Sequence, residues 1–243
     1  MSDSPASAVI DPSTALDSLA TALNSGNLKK QLAALPALAA LDDGVALLID
    51  FAKDRSPQPL AIDTIDPLLG RICQLLNRAD LPQARNFLEG YYPDGVVELP
   101  GECTVDYQPI QTALLEEDFD QADRITIQKL CELAGPEAVK RKWLYFTEVD
   151  RFPALDLQVI DGLWRTYSEG KFGFSIQREI WLGVGQDWEK FWPKINWKQG
   201  NHWTRWPGEF NWSLAAPRGH LPTTNQLRGV RVMNALMRHP AWS

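Results

Sequence analysis

The sequence predicts an all-α protein, with an N-terminal helical bundle followed by a second helical domain that carries one long ordered loop. Three observations predict it. Apolar residues recur at helical spacing through both halves, and few alternating apolar–polar runs of the kind a half-buried strand needs are present. Capping residues precede those runs and Gly or Pro ends them. Finally, the two halves differ in composition. None of the ten Trp precedes Trp143, and seven fall between Trp181 and Trp212. Residues 194–243 hold seven basic side chains against the single acid Glu209, in a chain of net charge −7. The change of regime places a boundary in the Gly/Pro-punctuated stretch 92–109, giving a first domain at 1–95 and a second at 105–243.

In the first domain, Asp11 caps a helix that Pro12 opens and Gly26 stops. A second helix covers 27–41, kinked at Pro36. Asp42 or Asp43 caps 45–53, Asp66 with Pro67 opens 68–78, and Asp80 with Pro82 opens a run to Leu88 that Gly90 ends. Short helices with small connections make a bundle or a HEAT-like stack, and no internal repeat is firm enough to choose the stack. Leu/Ala-rich amphipathic helices without clustered reactive groups read as a scaffold or docking surface.

In the second domain, Asp118 caps 119–133, which Ala134, Gly135 and Pro136 stop. Pro153 precedes 155–168, with Gly170 as the stop, and Ser175 caps 176–182. Asp187 opens a helix into Trp192 that Pro193 ends, and Thr223 or Thr224 caps a long helix over 226–238.

Several function classes are excluded. With 243 residues, 44% hydrophobic and 10% aromatic, the chain can bury a sizeable core and is no low-complexity segment. The best apolar run, 45–52, is broken by Asp50 and falls short of the ~20 residues of a membrane span. Negative net charge argues against general nucleic-acid binding. Cys73, Cys103 and Cys131 form no CxxC pair and read as reduced thiols, Cys131 as a core residue. Residues 1–17 carry three acids, no base and no apolar stretch, so neither a secretory signal nor a transit peptide is expected; the mature chain is expected to start here and stay in the cytoplasm. No GxGxxG, P-loop or GxSxG motif occurs. His202, His220 and His239 lack metal-ligand spacing, and no metal residue is expected. The acids Glu116, Glu117, Asp118 and Asp120 read as compensation of a helix dipole.

Residues 195–222 lack helical periodicity and hold Trp197, Trp203, Trp206, Phe210 and Trp212. An irregular segment of that length is usually functional or disordered, and its rings argue for order. The rings either plug the domain's own core or line a groove for a flat apolar ligand, and the length and basic charge favour the groove. Just beyond, Arg228 and Arg231 are three apart and share a helix face. Two guanidinium forks at that spacing can clamp two carboxylates or a phosphate; on an ordinary surface they are solvated or ion-paired. Gly229 between them weakens a helix, pointing to close packing there. A contrasting function is an aromatic-lined carbohydrate-binding module or glycosidase, with Glu148 and Asp150 as its carboxylates.

Several blocks resemble the genomes-uncoupled-four family: KLCELAGP at 129–136, WLYFTEV at 143–149, FPALDL at 152–157, FGFS at 172–175, WTRWP at 203–207, GHLP at 219–222 and NQLRGVR at 225–231. They cover 106–243, and the N-terminal helices are similar to those of cyanobacterial members. The resemblance implies a non-catalytic protein that binds protoporphyrin IX and magnesium-protoporphyrin IX and stimulates magnesium chelatase in chlorophyll biosynthesis. Neither porphyrin would be a tightly held cofactor. The implied partner is the large porphyrin-binding subunit of the chelatase, with peripheral association with thylakoid membranes through partners. Neither the transit peptide nor the C-terminal regulatory extension of plant members is expected for this chain. Carried onto this sequence, the family's concave site falls on Leu133, Val139, Tyr145, Phe146, Trp192, Trp203, Trp206, Asn225, Arg228 and Arg231. That agrees with what a flat disc with two propionates needs: ring faces for the disc and cations at its rim.

Overall fold

The computed structural model describes residues 12–79, 81–224 and 230–243. Among these residues the protein is all-α, with thirteen α-helices and one minimal two-stranded hairpin. The first five helices are α1 (Pro12–Leu23), α2 (Leu28–Ala39), α3 (Asp42–Arg55), α4 (Pro67–Ala79) and α5 (Pro82–Tyr91). Asn27 caps α2 by accepting the Lys30 N–H, and Pro36 sits inside that helix. Asp66 Oδ1 accepts the Leu68 and Leu69 N–H groups, both at 3.1 Å, so the Asp-Pro start of α4 is as expected. The expected cap of α3 is corrected. Leu41 occupies the cap without a side-chain bond, and Asp42 and Asp43 lie inside the first turn, where their charge meets the positive end of the helix. Asp11 and Asp80, expected as caps, lie outside the described residues.

The chain then runs through α6 (Gln108–Leu115), α7 (Phe119–Ala134), α8 (Pro136–Arg141), α9 (Phe146–Val149), α10 (Ala154–Thr166), α11 (Phe174–Gly183) and α12 (Trp188–Lys194). The hairpin strands β1 (Lys198–Gln199) and β2 (His202–Trp203) follow, then α13 (Arg231–Arg238) and a final 3-10 turn at Pro240–Trp242. Asp118 caps α7 by accepting the Gln121 N–H, and Asp187 caps α12. Ser175 does not cap α11. Gly173, at φ +135°, is the cap residue, and Asp161 on α10 accepts both the Ser175 N–H (2.8 Å) and its hydroxyl (2.6 Å). A carboxylate from a neighbouring helix thus does the capping expected of a local side chain. Residues 226–229 of the long helix expected over 226–238 lie outside the described residues.

The core is continuous from Leu23 to Ala241, across the expected boundary. α4 is its axle: every residue from Leu68 to Leu76 is buried. Gly70 lies so close to α10 that a Cβ there would stand 2.1 Å from the Thr166 carbonyl oxygen. Polar groups seal the same junction. Gln74 donates to the Leu114 and Tyr167 carbonyls, both at 2.8 Å. Arg71 pairs with Glu117 at 2.9 Å and with Glu169 at 3.5 Å. Glu117 also pairs with Arg78, so this acid ties α4 to the α6–α7 turn instead of serving the α7 dipole. The stretch after α5 has no helix but is pinned by Leu60, whose N–H donates to Val96 O (2.7 Å) and whose carbonyl accepts the Glu98 N–H (2.8 Å).

Candidate porphyrin site

Eight large apolar side chains are exposed among the described residues, and five of them are Val139, Tyr145, Phe146, Trp203 and Trp206. These five lie on α8, at the start of α9 and in the aromatic loop. Leu133, near the end of α7, is half-buried. Trp192 is buried, and stacks nearly parallel on Trp197 at 5.7 Å and on Trp188 at 5.1 Å. Trp203 leans on Trp192 at 5.5 Å, so the buried rings form a base under an exposed one. Asn225 and Arg228 lie outside the described residues.

The loop serves both readings of its rings. Trp197 is fully buried, with its indole N–H donating to His220 O at 2.8 Å, and Phe210 packs against it at 5.9 Å. These two plug the domain's own core. Trp203 and Trp206 remain 40% and 44% exposed at the surface. His220 braces the loop from within: Nδ1–H donates to Ile195 O at 2.7 Å, and Nε2 accepts the Asn211 N–H at 3.2 Å. Burial lowers its pKa, so the ring is held neutral with both nitrogens engaged. His202 is exposed and lies 3.0 Å from Glu209, which also accepts the Arg205 N–H. That backbone bond and His202 hold the Glu209 carboxyl below its ordinary range.

Two anchors frame the segment 225–229. Before it, Thr223 donates to Asp123 on α7 through its N–H (2.5 Å) and its hydroxyl (2.6 Å). After it, the Arg231 guanidinium sits 5.5 Å over the Phe146 ring, within cation–π range. The predicted cation and one predicted wall residue are therefore in contact. Trp206 reaches α7 instead: its Nε1–H points to Asp123 Oδ2 at 3.4 Å, and Arg124 lies over its ring at 4.7 Å.

The wall at α8 and α9 has a support the sequence reading missed. Arg141 donates to both Glu148 oxygens at 2.8 Å and lies over the rings of Trp143 and Tyr145 at 4.9 and 4.5 Å. Glu148 Oε2 also accepts the Tyr145 N–H at 2.8 Å, which fixes the start of α9 and turns Tyr145 and Phe146 outward. Glu148 is thus occupied as a structural acceptor, against its role as a glycosidase carboxylate. Asp123 was missed too, although a signal existed. It falls on the apolar face of α7 with Phe119, Ala122, Thr126 and Leu130, where a charged residue needs partners. Burial pushes its carboxyl up to about 6, against the pull of its hydrogen bonds from Thr223 and Trp206.

A family profile described as GUN4-like matches residues 101–240, more than half of the chain. The chain belongs to the GUN4 family. A second profile, described as an ARM-like repeat domain at the GUN4 N-terminus, matches residues 8–93, the region for which the sequence left bundle or stack open. The chain is 48% identical to a Ycf53-like protein of Synechocystis over 94% of its own length and 97% of the relative's. It is 37% identical to a protein of Arabidopsis thaliana called tetrapyrrole-binding protein, chloroplastic, over 58% of this chain and 57% of that one. Among solved structures, GUN4 from Chlamydomonas reinhardtii superposes with a TM-score of 0.56 at 44% identity, covering 60% of this chain and 93% of that one. In GUN4 terms, the exposed aromatics lie within the 101–240 match.

Proposed function

We propose that this protein binds protoporphyrin IX and magnesium-protoporphyrin IX and stimulates magnesium chelatase without catalysing metal insertion itself. The observation that carries the reading is the set of exposed apolar side chains, Val139, Tyr145, Phe146, Trp203 and Trp206, with Arg231 over Phe146. Large exposed apolar patches, unlike single exposed side chains, mark binding sites, and this reading takes the five as one patch. The disc would rest on these rings and aliphatic walls, and Arg231 with Arg228 would meet the propionates. Asn225 is the polar residue assigned beside them, and Leu133 and Trp192 back the walls. The name of the Arabidopsis relative supports a tetrapyrrole as the ligand. The region 105–243 would carry the ligand while 1–95 serves as scaffold or docking surface for the chelatase. No helix of the described residues is long and apolar enough to cross a membrane, so contact with thylakoids would come through partners.

Titration with deuteroporphyrin, a dicarboxylate porphyrin, tests the reading: a Soret shift at micromolar ligand is expected. Arg228→Ala with Arg231→Ala should weaken binding roughly 5- to 100-fold while the helical spectrum is unchanged, at about 0.5–1.5 kcal/mol per contact. No Soret shift, with binding of oligosaccharide instead, would turn the reading to a carbohydrate module. Magnesium insertion by the purified chain alone would overturn the non-catalytic role.

A further inference from the structure

We propose that Asp123 is a positioning residue of the ligand site, a buried carboxylate on α7 that ties the Trp206 wall to Thr223. This rests on the porphyrin reading above. Asp123 has no exposed surface, and three donors converge on it from two points of the chain. Oδ1 accepts the Thr223 N–H at 2.5 Å; Oδ2 accepts the Thr223 hydroxyl at 2.6 Å and the Trp206 Nε1–H at 3.4 Å. The Thr223 bonds are short and the indole bond is long, so the carboxylate grips Thr223 firmly and the ring lightly. The face of the same ring is covered by Arg124 at 4.7 Å, itself held by Asp120 through bonds of 3.0 and 3.2 Å. One helix thus fixes the edge and the face of an exposed indole, together with Thr223.

The chemistry of the tie makes it separable. In Asp123→Asn, the amide oxygen still accepts the Thr223 N–H, and the Thr223 hydroxyl can turn to accept from the new NH2 group. The indole N–H, which can only donate, then faces a donor. The substitution therefore breaks the Trp206 tie and keeps the Thr223 anchor. Trp206→Phe removes the same donor from the other side and leaves an aromatic face.

The experiment is a double-mutant cycle on the full chain, with deuteroporphyrin affinity read from the Soret band and the indole N–H signals read by 1H–15N NMR. Each single variant should bind about 2- to 12-fold more weakly, the cost of ordering one free side chain on binding. The double variant should bind no worse than the weaker single. The indole signal absent from Trp206→Phe should move upfield in Asp123→Asn while the melting temperature does not fall. Losses that multiply in the double variant would overturn the tie, as would unchanged affinity or an unmoved Trp206 signal in Asp123→Asn. If Asp123→Asn does not fold, Thr223→Val replaces it: removing the hydroxyl should shift the Trp206 signal through the shared Oδ2, and an unmoved signal sinks the proposal. Wild type that shows no Soret response overturns the porphyrin reading itself, an outcome separate from these because the NMR arm needs no ligand.

Discussion

His220 and Asp123 show how two buried titratable groups take opposite parts in this site. His220 is spent on structure, since Ile195 O and Asn211 N–H use both of its nitrogens. His220→Ala should leave both partners unmatched inside the loop and cost about 2–4 kcal/mol, read from urea unfolding. Asp123 is costly as an anion. Its carboxyl is pushed up to about 6 from the ordinary 3.8 by burial and, further, by Asp120, while Thr223 and Trp206 pull the other way. The folded chain therefore binds a proton more readily than the unfolded chain between those values. The penalty is fully present above about 6 and fades as pH falls toward 4, so this group adds stability on acidification. Melts of wild type and Asp123→Asn from pH 4.5 to 8 should diverge upward through 6, with the variant the more stable at alkaline pH; parallel curves would refute this. At the residue scale the family resemblance, and not the local pattern, is what singles out the exposed residues. Val139, Tyr145, Phe146, Trp203 and Trp206 were named from it and are exposed, whereas the burial of Trp192 and the two-sided engagement of His220 depend on rings and carbonyls distant in sequence.

Caps and stops carried most of what could be read about the elements. Asp66, Asp118 and Asp187 bond the first-turn N–H groups of their helices as expected, because a short polar side chain beside the turn is the nearest acceptor, and so does Asn27, which the sequence placed inside its helix. Asp118→Ala should accordingly cost about 1 kcal/mol in chemical denaturation, with the porphyrin response unchanged. Ser175 fails the same rule because a stronger acceptor, Asp161, arrives from α10, an encounter invisible in local sequence. The aromatic loop was located by its loss of periodicity. How its rings divide between core and surface was not legible, since Trp197 and Trp203 both lie in polar, basic stretches, and it is Phe210 and the His220 carbonyl, distant in sequence, that enclose Trp197. The Arg141–Glu148 brace was missed for a related reason: its partners are seven residues apart on two different helices, α8 and α9.

The composition break that suggests two domains is real in sequence, yet the apolar core runs through it. Gly70 is the tightest point of that join, and Gly70→Ala would drive a methyl group into the Thr166 carbonyl at 2.1 Å. Backbone has to shift to admit it, so a loss of at least about 2–3 kcal/mol is expected, with α1–α5 and α6–α13 still unfolding in a single transition. Two separate transitions in wild type would show that the join is weak.

The burial of α4 on all sides also has a consequence in time. Leu68–Leu76 leave the ribosome well before α10 begins at Ala154, a delay of about 80 residues. At ordinary elongation rates that is about 4–16 s during which the face of α4 destined for α10 has no native cover. A nascent chain stopped after α5 should therefore recruit a hydrophobic-binding chaperone, and one long enough to have released α10 should let it go. The first half of the molecule is made early but finishes late.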